Sequence, residues 1–359
     1  MKKGVRIILG NISVAADDLM NLVTRAFVAA GVNDNNSRNA SRILVEAEMM
    51  GLGTHGVRRV LNYTERLRSG GMNPKAKIAV DRRTPSLALI DGDNGLGPAV
   101  GSVALHTALE MVAESGIAYV GCKASNHFGA LAPYCIQSCE AGYVMFSGTN
   151  ASMTMAPFGG KEARIGNNPF CVAAPIPDGV HFILDMAISV AARAKIRNAE
   201  EEGTPIPEGW AVDKEGLPTT DPVEALAGFL LPLGGHKGSG MSMVVDLLAG
   251  LLTGGKFLTG IQSWSESPEV PSGVGHFFIL IDPARLIGRE KFNAAMLEFS
   301  AVIQSTPAAS SSSPVMLPGQ REQQYRAESI KNGISISSKL LNQIADLAGM
   351  SRPIYREES

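Results

Sequence analysis

Three histidines stand in glycine-rich, turn-like settings, where a side chain that titrates near neutral pH can move a proton. His55 lies in Thr54-His55-Gly56-Val57-Arg58-Arg59, between two helical patterns. A histidine just past a helix C-terminus is favoured as imidazolium, and Arg59 can fork a carboxylate through two parallel hydrogen bonds. On these six residues alone, a helix-capping histidine beside a solvated arginine pair is an equally good account. His127, in Ser125-Asn126-His127-Phe128-Gly129, follows a strand pattern, where catalytic loops collect. Taken by itself, it reads more plainly as a buried structural histidine. His236, in Leu233-Gly234-Gly235-His236-Lys237-Gly238-Ser239-Gly240, opens an apolar helix. Backbone N–H groups, a lysine and a helix N-terminus make a phosphate cradle there, and the glycines have no evident structural need. A turn-rich stretch from Thr149-Asn150 to Gly166-Asn167-Asn168-Pro169 supplies asparagines that either line a polar ligand or simply punctuate loops.

Two glycine patterns imitate a dinucleotide fingerprint. Gly51-Leu52-Gly53-Thr54-His55-Gly56 matches G-x-G-x-x-G, but a helical pattern precedes it where the fingerprint needs a strand. Gly95-Leu96-Gly97, with Gly101, does follow a strand and open a helix. The motif's first glycine stands four positions past the end of that strand, however, and Gly121-Cys122-Lys123 stands where an acid should hold the ribose. Neither is read as a Rossmann signature.

The elements that must position these residues follow from periodicity. Residues 14–30, 36–50 and 58–69 show helical spacing, with Ser13 a candidate N-cap and Gly31 a candidate C′ residue. Strands are expected at 86–91, 117–121, 144–147, 170–174, 182–186 and 276–282, with helices at 98–114, 238–252, 290–304, 319–332 and 337–348. A loop rich in serine, alanine and proline covers 305–314. Clean strand–helix alternation fails, which argues against a doubly wound sheet.

Composition excludes several classes. The 359 residues are 45% hydrophobic and 18% charged, so a large core, or surface hidden in a partner, is expected and disorder is not. With 32 Lys+Arg against 34 Asp+Glu, no cationic excess supports nucleic-acid binding. Lys2-Lys3 and Val5 to Leu9 imitate a leader peptide, but Arg6 and Asn11 interrupt it and Asp17-Asp18 follow. No run of about 20 apolar residues suits a membrane span, and a cytoplasmic protein is expected. Cys122, Cys135, Cys139 and Cys171 form no C-x-x-C pair and read as small buried hydrophobes, with Cys135 and Cys139 on one helix face and no metal site.

Six motifs in order resemble the malate/L-lactate dehydrogenase family that lacks a Rossmann fold: His55-Gly56-Val57 with Arg59, Asn126 to Gly129, Gly166 to Pro169, Asp185-Met186-Ala187, Gly235 to Gly238, and Leu317-Pro318-Gly319. The resemblance runs from about Ile12 to Ala348. It implies an α/β, α+β-like fold with a mostly antiparallel mixed sheet that binds NAD or NADP, NAD being preferred. It further implies a helical domain over 1–75, a sheet domain over 76–288, and C-terminal helices over 289–359 that pack back on the first. A homodimer that interconverts small 2-oxo and 2-hydroxy acids of malate or lactate type follows from it too. His55 takes the place of the proton donor, Thr54 that of a serine beside it, and Arg59, Asn167 and Arg193 those of substrate contacts. His127, Phe128, Gly129, Ala130, Leu131, Asp185, Met186, Ala187, His236, Lys237, Gly319, Gln320 and Arg321 fall at cofactor contacts. Reductases of cyclic imine acids (Δ1-piperideine- and Δ1-pyrroline-2-carboxylate) are the alternative, although they place threonine at Asn167 and aspartate at Lys195. A non-catalytic nucleotide-binding protein is the alternative from another class.

Overall fold

The fold is described from a computed structural model covering residues 7, 8, 10–310 and 314–350; most of the leader-like segment lies outside them. Helix Ala16–Ala29 forms because Leu19, Leu22, Val23, Ala26 and Phe27 make one apolar stripe, all of it buried. Ser13 does not cap it. Ser13 belongs to the short strand Asn11–Val14, and its hydroxyl donates to the Asn332 carbonyl at 2.7 Å. That strand pairs antiparallel with Ile334–Ser337, bringing chain segments from both ends of the sequence together. Gly31, at φ +92°, follows the helix in the left-handed region that glycine tolerates. Helix Asp34–Met49 is capped by the Asn33 side chain, and helix Arg59–Ser69 stops at left-handed Gly70. Helix Ser338–Leu347 closes this layer by packing on Ala16–Ala29 and Arg59–Ser69, with Leu341 and Ile344 sharing a core with Phe27, Leu44 and Tyr63.

The central sheet has seven strands in the order Phe182–Met186, Phe170–Ala174, Val144–Thr149, Val274–Ile281, Ile117–Ser125, Leu87–Asp91, Ala79–Thr84. Neighbours are antiparallel except Leu87–Asp91 beside Ile117–Ser125, which run parallel because helix Gly97–Ser115 crosses between them. The expected mixed, mostly antiparallel sheet is therefore present. A core containing Val100, Met111, Tyr134 and Phe278 joins it to helices Gly97–Ser115 and Ala132–Glu140. A second core, with Ile196, Val245 and Phe277, joins it to helix Arg193–Glu202, helix His236–Asp246 and a small four-stranded sheet.

Some elements depart from the periodic reading. Strand Ala79–Thr84 is exposed throughout and carries Asp81, Arg82 and Arg83, so no alternation marks it. The strands of the small sheet are two or three residues long, too short for a period to show. The helix beginning at His236 turns into a π-turn over Leu247–Leu251, where Asp246 accepts from Asn150 Nδ2 and the Leu258 N–H. Cys122 and Cys139 are buried and free as expected, whereas Cys135 and Cys171 are joined by a disulfide between helix Ala132–Glu140 and strand Phe170–Ala174.

The glycine patterns acquire structural reasons. A Cβ on Gly97 would lie 2.3 Å from the carbonyl oxygens of both Asn126 and His127, so this glycine lets the crossover helix touch the His127 loop. A Cβ on Gly56 would lie 2.1 Å from Glu48 Oε2, and one on Gly238 would lie 2.1 Å from the Leu233 carbonyl oxygen. The Gly238 contact corrects the expectation that its glycine cluster lacks a structural need.

Gly97→Ala is expected to lower stability by about 1–3 kcal/mol, because the opposing atoms are backbone. Thermal unfolding measures this, and an unchanged midpoint would refute the close approach. His276 is fully buried on strand Val274–Ile281, between Thr149 Oγ1 and Ser125 Oγ at 2.8 Å each, and burial lowers its pKa to about 3. Its neutral form stabilises the fold fully above the unfolded-state pKa near 6.5, and that contribution is lost as pH falls towards 3 at about 1.4 kcal/mol per pH unit. Urea titrations of the native chain and His276→Asn should show a shallower acid loss in the variant.

Candidate active site

Helix Arg59–Ser69 presents Arg59, Tyr63 and Arg66 at i, i+4 and i+7, a spacing that puts all three on one face. Tyr63 is fully buried, which pushes its phenol above the usual range and keeps it protonated. It donates to His127 Nδ1 at 2.6 Å, and the Gly129 N–H approaches the same nitrogen at 3.4 Å. Burial and nearby cations hold His127 well below its usual pKa, so the ring is neutral with its proton on Nε2.

Arg66 lies one turn further on and is 1% exposed. Its Nη1 donates to the carbonyls of Trp264 (3.1 Å) and Ser267 (3.4 Å). Its Nη2 reaches the carbonyls of Gly71 and Val270, Ser272 Oγ and Asn126 Oδ1, all at 3.0–3.1 Å. Asn126, also buried, turns its amide towards Asn94 and the Gly95 carbonyl, which fixes the residue before His127.

Loop 264–272 thereby carries Trp264 to the site. The Trp264 ring is 5.4 Å from the His127 ring, and the Arg59 guanidinium carbon sits 4.8 Å from the indole centroid. His55 also stacks on His127, at 5.6 Å with planes 25° apart. The resulting row of groups is His55, His127, Trp264 and Arg59. Arg59 Nε, like those of Arg66 and Arg193, is buried without a hydrogen-bond partner, and no hydrogen bond from the Arg59 Nη groups is present either among the described residues, so a bound anion would satisfy it.

His55 Nδ1 lies 3.0 Å from the Thr54 hydroxyl. Burial, aided by the Arg59 charge, lowers the pKa of His55 to about 4, so it rests as a neutral imidazole rather than the imidazolium the helix-end argument favours. The helix-end field is outweighed by desolvation. The loop bearing it is gripped by Glu48, whose Oε2 accepts from the Val57 N–H at 3.0 Å.

Other predicted residues are spread around this row. Phe128 and Leu131 are 1% exposed, and Phe128 stacks face to face on His276 at 4.0 Å. Their side chains belong to the core, so a ligand could meet only the backbone of the 128–131 stretch. Gly129 is left-handed (φ +86°), and Ala130 is buried. Asp185 Oδ2 accepts from the N–H groups of Leu131 (3.1 Å) and Ala132 (2.8 Å), clamping that stretch to the sheet edge. Burial raises the Asp185 pKa to about 6. Met186 and Ala187, which continue from it, are half-buried. Gly319, left-handed at φ +79°, docks on the same edge strand, where a Cβ would meet Ile183 at 2.7 Å. Gln320 accepts from the Leu317 N–H, and Arg321 is exposed beside Tyr325.

His236 and Lys237 are exposed at the start of helix His236–Asp246, with His236 edge-on to Phe158 at 5.7 Å. They border a cleft of about 460 Å³ lined by Phe158, Val190, Leu230 and the glycine pairs 159–160 and 234–235. The Asn167 carbonyl accepts from the Ile188 N–H, while its neighbour Asn168 is the buried one, bonded to Ala151 and Ser242. Arg193 Nη2 donates to the Leu226 carbonyl at 2.9 Å, and Lys195 lies over Trp210. The field of Arg197, from the same helix, is felt at Arg59.

Glu48, Tyr63, Arg66 and Trp264 do not stand out in the sequence, and Asn126 does so only as part of the motif around His127. The i, i+4, i+7 run Arg59, Tyr63, Arg66 is a polar stripe within an otherwise ordinary helix, and it is the one signal that marks part of this set. Trp264 lies in a serine-rich loop that carries no pattern.

Among the described residues no cluster of histidine, cysteine and carboxylate suits a metal, and no helix is long and apolar enough to cross a membrane. Residues 14–345 match the family model described as malate/L-lactate dehydrogenase. A malate dehydrogenase of Pyrococcus horikoshii is 36% identical over 345 residues, covering 94% of this chain and 95% of the relative. A Δ1-pyrroline-2-carboxylate reductase of Ancylobacter novellus is 34% identical over 350 residues, covering 97% and 98%. The structure of sulfolactate dehydrogenase from Methanocaldococcus jannaschii superposes with a TM-score of 0.86 at 32% identity, covering 94% of this chain and 98% of that one. The chain belongs to the malate/L-lactate dehydrogenase family and is an oxidoreductase.

Proposed function

We propose that the protein interconverts a small 2-oxo acid and its 2-hydroxy acid at the row His55, His127, Trp264 and Arg59, with NAD, or else NADP, as hydride carrier. The unsatisfied, buried Nε of Arg59 carries this reading. A carboxylate that bridges the guanidinium edge would satisfy it, while Trp264 occupies one face. The nicotinamide cofactor fits the remaining features. Glycines 159–160 and 234–235 leave the cleft open, and helix His236–Asp246 presents its N-terminus and Lys237 at the rim. His236, Lys237 and the backbone of Gly129 to Leu131 would hold the cofactor, with Asp185 fixing that backbone. When bound, the cofactor supplies or accepts the hydride.

The chain's own groups do the rest. Arg59 orients the carboxylate so that the carbonyl carbon faces one direction. His127 Nε2–H would offer a neutral donor beside the reacting oxygen, and the adjoining rings of His55 and Trp264 would exclude water. His55 manages the proton. Resting neutral, it takes the proton from a hydroxy acid during oxidation. During reduction its imidazolium, favoured by the incoming carboxylate, returns a proton to the carbonyl oxygen. Thr54 steadies the ring through Nδ1. We further place the protein in the cytoplasm and read it as a homodimer. Met241, Val244, Leu247 and Leu251 expose one apolar side of the helical segment after His236, a surface suited to a second copy. Sedimentation showing a monomer would remove that part.

A cyclic imine acid is the second substrate reading, favoured by the likeness to the pyrroline-carboxylate reductase. Assays of NADH and NADPH oxidation with pyruvate, oxaloacetate, sulfopyruvate and Δ1-pyrroline-2-carboxylate separate the two, and turnover of the imine alone would replace the first. His55→Gln should lower kcat by about 10²–10⁴-fold with little change in KM, whereas Arg59→Met should act mainly on KM. Because His55 is neutral above a pKa of about 4, kcat/KM for oxo-acid reduction should fall as pH rises above that value. In the oxidation direction it should rise to a plateau. Identical profiles in both directions, or retained activity in His55→Gln, would exclude His55 as the proton carrier.

A further inference from the structure

Arg66 is a buried guanidinium whose acceptors are all uncharged oxygens, three of them backbone carbonyls of loop 264–272. Burying a cation this way is costly, and hydrogen bonds from its two Nη groups to six oxygens offset that cost even though Nε has no partner. The same guanidinium touches three segments that each deliver one member of the site. Its own helix carries Arg59, Asn126 precedes His127, and the loop carries Trp264. Without the loop, the indole would have no fixed position over Arg59 and His127.

We propose that Arg66 is a positioning residue that acts through Trp264, and that Trp264 is the wall that orients the substrate carboxylate on Arg59. The indole lies against the Arg59 guanidinium at 4.8 Å, so an oxyanion must approach from the sides the indole leaves open, where the unpaired Nε can meet it. The indole also presses on the His127 ring, coupling the orientation of the clamp to that of the neighbouring donor. The catalytic half of this statement rests on the proposed 2-oxo acid chemistry; the mechanical half does not.

The chain has two tryptophans, so Trp210→Phe leaves Trp264 as the sole reporter. In that background, Arg66→Lys replaces a six-acceptor fork by a compact charge. Trp264 emission should then shift to the red and become more open to acrylamide, while circular dichroism stays unchanged. KM for the 2-oxo acid should rise about tenfold with kcat altered less than about threefold. Trp264→Ala should reproduce the kinetic change, Trp264→Phe should largely restore it, and the double variant Arg66→Lys/Trp264→Ala should cost no more than either alone. Unchanged emission in Arg66→Lys, or additive costs in the double variant, would overturn the coupling. Should Arg66→Lys not fold, an unchanged KM in Trp264→Ala overturns the proposal by itself. If no 2-oxo acid is turned over, quenching of Trp264 by oxamate still reports whether the wall meets a carboxylate.

Discussion

A single buried cation organises the site. Arg66 sits where helix Arg59–Ser69, the Asn126–His127 turn and loop 264–272 converge, and its hydrogen-bond fork is the point at which the three are held in register. The arrangement is economical in sequence terms. One helix face supplies the proposed clamp (Arg59), the hydroxyl bonded to His127 Nδ1 (Tyr63) and the anchor (Arg66), separated by single turns. Their relative positions are thus set by helix geometry, the most rigid ruler the chain possesses. The rest of the fold serves that ruler. The crossover helix presses Gly97 against the carbonyls of Asn126 and His127, and helix Ser338–Leu347 packs on Arg59–Ser69.

Electrostatically, the site is a positive pocket with neutral imidazoles. Arg58, Arg59 and Arg197 share a field without a carboxylate among the hydrogen-bond acceptors of Arg59, and burial keeps His55, His127 and His276 uncharged. On the proposed reading, an anionic substrate would satisfy Arg59, offset the repulsion and make protonation of His55 less costly at the same time, so that substrate binding and readiness for proton transfer would be coupled through charge.

Much of this was legible in the sequence, and the reasons for success and failure are physical. The helices with one apolar stripe, such as Ala16–Ala29 and Asp34–Met49, and the central strands with alternating or continuous apolar runs declared themselves through period. So did the histidine turns, because glycine clusters mark close backbone approach. Strand Ala79–Thr84 did not, since an exposed charged edge carries no alternation, and the two-residue strands of the small sheet are set wholly by tertiary pairing. At the site, His55, Arg59 and His127 lie together, while Arg193 is tied to Leu226 and the side chains of Phe128 and Leu131 point into the core. The anchor Arg66 and the wall Trp264 were invisible because what defines them is distance across about two hundred residues of chain, which no local pattern encodes.

The clamp between Asp185 and the start of helix Ala132–Glu140 has one more consequence. The first N–H groups of a helix are the natural seat for a phosphate, and here two of them already hold a carboxylate of the protein itself. The fold has occupied its own vacancy. On the proposed reading, a polyphosphate would find that helix start taken and would turn to the other, beside Lys237, so the direction in which an extended nucleotide lies would be decided before it arrives.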